Sequence, residues 1–353
     1  MINHSALLDF DDILIVPKTK TSIESRYSGI SLPSKLPLFT APMDTVVDLN
    51  NMEVFEKNKI NVVLPRTINY TQYINHRAFK TTSNVFISMG FDDLNSFEEK
   101  EFNILPNNPY ILIDVANGHM EKIVKYAKTI KKQKPNAIIM VGNIANPETY
   151  KWYFESNCVD YIRLGIGNGN GCLTTKQSGI GYPMASLIHN TYKIKKDLMK
   201  KEPNINPPKI VADGGMKNYS DIVKALALGA DYVMLGSIFN KALESCGNNY
   251  LYNIKINKNT AKRLFHLGFP VKKYFRGMST KEAQKAMGKS NLKTSEGVVR
   301  YRKIEYLLNT WVENFEHYLR NAMSYSNAKT LDDFIGKAEI SIITENAYKR
   351  FNK

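Results

Sequence analysis

Residues 209–237 read KIVADGGMKNYSDIVKALALGADYVMLGS. The apolar run at 209–212 has the length of a buried strand and breaks at Asp213-Gly214-Gly215. Ser220-Asp221 then opens a helix that Gly229 closes, and a second apolar run at 231–235 breaks at Gly236-Ser237. A helix and two short loops between two strands make the strands parallel, since a tight hairpin joins only antiparallel neighbours. The segment is a βαβ unit with glycine turns after both strands.

The same rhythm extends towards the amino terminus. Short β-type runs at 36–40, 60–64, 84–88, 110–113, 137–141 and 160–164 bring the number of predicted strands to eight, most of them about two dozen residues apart. Between them, Ile123, Val124, Ala127 and Ile130 form one apolar stripe at helical spacing while the intervening lysines face water. Eight such units predict an α/β fold of the (β/α)8 TIM-barrel class rather than an open doubly wound sheet. After Ser237 the pattern changes. Residues 247–303 are polar and lysine-rich and are read as a flap over the barrel mouth, a helix near 304–322 closes the eighth unit, and 331–353 form a peripheral tail. The whole chain, 1–353, is read as one catalytic domain, with nothing inserted between the second strand and its helix.

Composition narrows the possibilities. The chain has 353 residues, 43% of them hydrophobic, enough for a substantial core. It shows no apolar run of membrane-spanning length and no basic-then-apolar leader, which predicts a cytoplasmic protein without membrane contact. Three cysteines, Cys158, Cys172 and Cys246, are too few and too scattered for a disulfide framework or a zinc site. The net charge of +15 suits an anionic nucleotide, but the lysines are dispersed, which argues against a specific nucleic-acid footprint.

A barrel places its chemistry at the carboxyl ends of its strands. There this sequence carries Met43-Asp44, Arg66, Asp114, Asn143, Asp213-Gly214-Gly215 and Gly236-Ser237. The turns after strands seven and eight are read as phosphate sites at helix starts. After strand six comes LGIGNGNGCLTTKQSGIGYP at 164–183, six glycines around Cys172. Such a loop can bend its backbone around a ligand or ion. It is neither a dinucleotide fingerprint, since Asn170 takes the place of the third glycine, nor a P-loop, which needs a lysine.

With these residues in hand, the chain resembles the family of inosine monophosphate dehydrogenases and guanosine monophosphate reductases. The resemblance rests on DFDDILIVPK, ESR, APMDTV, IDVANGH, VGN, the 164–183 loop, ADGG, DIVKALALGADYVMLGS, FRGMS and SEG, in that order over most of the chain. It implies a barrel, usually tetrameric, in which Cys172 adds to C2 of a purine nucleotide and hydride passes to or from a nicotinamide. Only a thiolate attacks, so the purine must be held against it by an anchored phosphate. By the same resemblance, Asp213, Gly214, Gly215, Gly236, Ser237, Gly277, Met278, Ser279 and Gly297 bind substrate. Ser25, Arg26, Arg66, Asp114, Ala116, Asn117, Ile166 and Gly167 face the cofactor, with Ser25-Arg26 reaching it from an adjacent subunit. Carbonyls of Gly167, Gly169 and Cys172 hold potassium.

The family has two branches. The dehydrogenase hydrolyses the cysteine adduct of IMP to XMP with NAD, commonly through an Arg-Tyr pair on its flap, and 288–297, GKSNLKTSEG, has neither. The reductase expels ammonia from GMP and takes hydride from NADPH to give IMP, protonating the leaving ammonia with a threonine and a flap glutamate. Those positions here are Thr174 and Glu296. IDVANGH, SGIGYP and the missing regulatory domain pair lean to the reductase, which is the expected function, while APMDTV and FRGMS lean to a dehydrogenase lacking that pair. A catalytically silent nucleotide-binding relative is the third reading. Departures from the family pattern include Asn170-Gly171, Leu173, Thr175 in place of an arginine, Pro65-Arg66 and Met184.

Overall fold

The computed structural model describes residues 6–77, 84–95, 105–292, 294–295 and 297–351. Eight strands, β1 (Leu38–Thr40), β2 (Val63–Leu64), β3 (Phe86–Met89), β4 (Tyr110–Asp114), β5 (Ile138–Ile144), β6 (Tyr161–Leu164), β7 (Lys209–Asp213) and β8 (Tyr232–Leu235), lie parallel in the order β1-β8-β7-β6-β5-β4-β3-β2. The ring closes between β1 and β2, where Asn61 N–H donates to the Leu38 carbonyl at 2.9 Å and Thr40 N–H to the Asn61 carbonyl at 3.0 Å. The helices α1 (Met52–Lys57), α2 (Tyr70–Ile74), α3 (Phe91–Asn95), α4 (Lys122–Gln133), α5 (Thr149–Ser156), α6 (Met184–Lys201), α7 (Tyr219–Leu228) and α8 (Leu308–Tyr325) follow the strands in turn. This is the predicted (β/α)8 barrel.

The strands alternate between two cores because successive side chains point to opposite faces. In β4, Leu112 belongs to the barrel interior with Phe39, Phe86, Met140, Val211 and Met234, while Ile111 and Ile113 pack outward with the helices. Phe86 meets Tyr110 and Tyr161 edge-on at 5.1 and 5.5 Å, filling the amino-terminal end of the barrel.

Two aspartates that the sequence places inside strands lie just before them, doing the same job twice. Asp231 accepts the Ile210 N–H at 2.7 Å and the Lys195 ammonium at 2.6 Å. Asp160 accepts the Ile139 N–H at 2.7 Å and the Lys131 ammonium at 2.9 Å. Each carboxylate thus caps a neighbouring strand and ties it to a helix. Their burial differs: side-chain exposure is 14% for Asp231 and 6% for Lys195, against 29% and 25% for Asp160 and Lys131. Asp231→Ala, which strands a buried ammonium, is expected to cost about 3–4 kcal/mol. Asp160→Ala is expected to cost about 1–2 kcal/mol, both measured by urea unfolding.

The flap is more ordered than its composition predicted. Ile254–Ile256, Asn249–Leu251, Val271–Arg276 and Val299–Lys303 form, in that order, an antiparallel four-stranded sheet. With the helix Lys258–His266, the sheet closes over a small core of Leu243, Ala261, Val271 and Ile304. Lys273 is fully buried at its base, donating to the carbonyls of Ala242, Leu243 and Ser245 at 3.0, 2.9 and 2.7 Å. The tail is likewise docked: Glu339–Ile342 pairs antiparallel with Ile13–Val16, and Phe334 is fully buried. No described helix is long and apolar enough to cross a membrane.

Candidate active site

A cavity of about 280 Å3 opens at the carboxyl ends of the strands. Its lining includes Cys172, Thr174, Asp213, Gly214, Gly215, Gly236, Ser237, Gly277, Met278 and Ser279, together with Arg66, Asp114, Ala116, Ile166, Gly167 and Gly169. Strand order arranges these residues around the rim. The loops after β8 and β7, which carry Ser237 and Asp213, lie on one side of the Cys172 loop after β6; β4 and β2, with Asp114, Ala116 and Arg66, lie on the other. A thiol therefore stands between two halves of one pocket.

The Cys172 thiol lies 3.1 Å from the Thr174 hydroxyl, and the residue is partly buried. The flap reaches this loop directly. Cys172 bridges to Gly297 in antiparallel fashion, Val298 N–H donates to the Gly171 carbonyl at 3.2 Å, and Gly277 N–H donates to the Val298 carbonyl at 3.1 Å. Gly277 comes so close that a Cβ there would fall 2.3 Å from the Gly171 carbonyl oxygen, so no other residue fits. Arg276 forms an ion pair with Asp44, fastening the flap strand to the loop after β1. Glu296 lies outside the described residues.

The floor of the site is a charge network that the sequence reading missed. Arg163, inside the barrel on β6 with 6% of its side chain exposed, donates to Asp114 at 2.6 Å and to Asp213 at 2.7 Å. Asn143 Nδ2 donates to Asp213 at 2.8 Å and to the Gly165 carbonyl at 2.9 Å, and Arg66 Nε lies 3.1 Å from Asp114. Burial pushes the Asp114 carboxyl up, but Arg163 and then Arg66 outweigh it and hold it below the usual carboxylate range. The available signal was a lone charged residue in an otherwise apolar strand, YIRL.

Three expectations need adjustment. Gly214 and Gly215 do not sit at a helix start: both have positive φ, 88° and 89°, which a right-handed helix excludes, and Asn218 caps α7 further on. Gly214 instead passes the Cys172 loop closely, a Cβ there falling 2.9 Å from the Gly169 nitrogen. Asn117 does not line the cavity, and Ser25 and Arg26, expected to reach the cofactor of an adjacent subunit, lie outside the cavity of their own chain. Arg26 lies 2.8 Å from His317 Nε2, Ser25 accepts the Tyr27 N–H at 3.2 Å, and Asn117 accepts the His119 N–H at 3.1 Å. Of Gly167, Gly169 and Cys172, the residues expected to hold potassium, two are already engaged within the loop. The Gly169 carbonyl already accepts the Cys172 N–H at 3.0 Å, and the Thr175 hydroxyl fills the space at Gly167, where a Cβ would fall 1.7 Å from it.

A parallel barrel whose mouth holds a cysteine loop between two polar half-sites defines an enzyme-like pocket. Residues 107–351 match the IMP dehydrogenase / GMP reductase domain, and the chain belongs to that family. It is similar to the GMP reductase of Onchocerca volvulus, 26% identical over 99% of this chain and 94% of that protein. It is also similar to the GMP reductase of Caenorhabditis elegans, 28% identical over 98% and 94%. The bovine GMP reductase 2 is 29% identical over 86% of this chain and 82% of its own length.

Proposed function

We propose that the protein is a GMP reductase, converting GMP to IMP and ammonia. The observation that carries this reading is the Cys172–Thr174 contact at 3.1 Å, in a pocket whose two halves flank the thiol. The full-length similarity to proteins named GMP reductase supports the direction of the reaction.

The mechanism follows from the residues. Gly214, Gly215, Gly236 and Ser237 hold the phosphate, Asp213 the ribose hydroxyls, and Gly277, Met278, Ser279 and Gly297 close over the base. The Cys172 thiolate adds to purine C2. The exocyclic amino group then takes a proton through Thr174 from Glu296 and leaves as ammonia, so the C–N bond breaks as the C–S bond remains. A nicotinamide bound in the other half of the pocket, expected to be NADPH, would supply hydride to C2, and Cys172 would leave C2 as the free thiolate, giving IMP. Asp114, Ala116, Ile166, Gly167 and Arg66 would orient the nicotinamide half, and Ser25-Arg26 of a neighbouring subunit would complete it in a homotetramer.

Paired absorbance assays test the direction: GMP with NADPH in one, IMP with NAD in the other. Loss of reduced nicotinamide with equal ammonia in the first supports the proposal; gain in the second, with the first flat, supports the dehydrogenase. Glu296→Gln is expected to slow ammonia release by about 10²–10³-fold at nearly unchanged KM for GMP, read in a coupled ammonia assay.

A further inference from the structure

Thr175 bridges the loop that carries the residues read as a potassium cage. Its hydroxyl donates to the Ile180 carbonyl at 2.7 Å and approaches the Ile166 carbonyl at 3.4 Å. These two carbonyls belong to opposite limbs of the Cys172 loop, one entering from β6 and the other leaving towards α6. The side chain fits between two glycines, one per limb. A Cβ at Gly167 would fall 1.7 Å from the hydroxyl oxygen, and one at Gly181 would fall 2.6 Å from the same atom and 3.0 Å from the Thr175 methyl. Thr175, although solvent-exposed, thus sits where the limbs converge.

Other side chains add to this closure. Asn168 Nδ2 donates across the limbs to the Tyr182 carbonyl at 3.1 Å. Asn170 Nδ2 reaches Ser237 at 3.1 Å, tying the loop to the turn after β8. Backbone donors take further carbonyls: Gly169 from Cys172 and Gly171 from the flap residue Val298. A monovalent cation orders a loop by drawing carbonyls from both limbs to one centre. Here hydroxyl and amide donors draw them together instead.

We infer that Thr175 closes the Cys172 loop and that this loop presents its thiol without a bound monovalent cation. Thr175 is a positioning residue: it touches neither thiol nor substrate and acts by fixing the limbs between which Cys172 sits. The activity arm of the test rests on the proposed GMP reduction. The second arm, alkylation of Cys172 by a maleimide, needs neither substrate nor cofactor and separates the two ideas. Peptide mapping assigns the modified residue. Burial raises the pKa of the other two thiols, Cys158 and Cys246, and so slows them.

The purified full-length chain is assayed in potassium, sodium and tetramethylammonium chlorides at equal ionic strength. Wild type is expected to keep its GMP-dependent NADPH oxidation and its Cys172 alkylation rate within about twofold across the three salts. Thr175→Val, nearly isosteric but without a donor, is expected to lower turnover and speed alkylation by about fivefold or more, whereas Thr175→Ser stays close to wild type. A wild-type alkylation rate that falls by about fivefold in potassium relative to tetramethylammonium would overturn the inference, as would a valine variant indistinguishable from wild type in alkylation. If no salt supports activity but the alkylation pattern holds, the loop inference stands and the proposed reaction fails.

Discussion

Cys172→Ala is expected to lower turnover by about four orders of magnitude or more while leaving GMP affinity within about threefold of wild type. The split follows from the pocket. In the proposed reaction the thiol supplies the bond that carries the purine between loss of ammonia and arrival of hydride, and no other described group near it offers a comparable nucleophile. Binding draws on different residues, the turns after β7 and β8 and the flap, none of which moves when one sulfur is removed. Cys172→Ser should be nearly as inactive, because a hydroxyl is scarcely ionised at neutral pH. Turnover by GMP and NADPH assay, with affinity by calorimetry, checks both halves. Residual turnover above about a tenth of wild type would remove Cys172 from the chemistry.

Arg163→Leu should produce the second-largest effect, from a residue that never meets the reacting atoms. Arg163 is enclosed by Asp114 and Asp213, at 2.6 and 2.7 Å. Its loss leaves two buried carboxylates with Arg66 alone nearby, at an expected cost of about 3–5 kcal/mol in stability. Asp213, read as the ribose anchor, loses its charged partner and keeps only Asn143, so KM for GMP should rise by about tenfold or more. The pH dependence gives the mechanism away. In wild type the folded-state pKa of Asp114 is depressed, so its contribution is present above the unfolded value of 3.8 and lost as pH falls through the lower folded value. Without Arg163, burial dominates and the folded pKa rises. The variant's deficit should then shrink as pH falls from about 7 towards 4, because protonation relieves the stranded carboxylates. Urea unfolding at several pH values reads this directly. A pH-independent deficit would mean that Arg163 acts by packing alone.

The barrel was legible in the sequence because its strands are local signals: short apolar runs, buried on both faces, each followed by a polar or glycine turn. The rim residues were legible for the same reason, since strand ends fix where side chains converge. Arg163 was not, because a charge inside a barrel is intelligible only when Asp114 and Asp213, on other strands, are seen to enclose it. The flap sheet escaped notice because its pattern is broken where it matters. In Val271–Arg276 the inward positions are Val271, Lys273 and Phe275, and a buried lysine satisfied by three carbonyls reads as solvated surface. The ribbon of Ile13–Val16 with Glu339–Ile342 joins opposite ends of the chain, and neither segment reveals its partner by composition. Thr175 stands out in the sequence as a departure from the family pattern, but its role depends on the two limbs on which its hydroxyl closes.

The fate of the Cys172 adduct is the most direct test of the proposed reaction. Purine-labelled GMP is mixed with the enzyme, part is quenched for peptide mass analysis, and NADPH is added to the rest before the nucleotides are separated. The account predicts a purine nucleotide, less its amino group, on the Cys172 peptide before NADPH, and afterwards one IMP and one ammonia for each NADPH consumed. Label leaving as XMP, or an unmodified Cys172 peptide in an enzyme that still turns over, would contradict it.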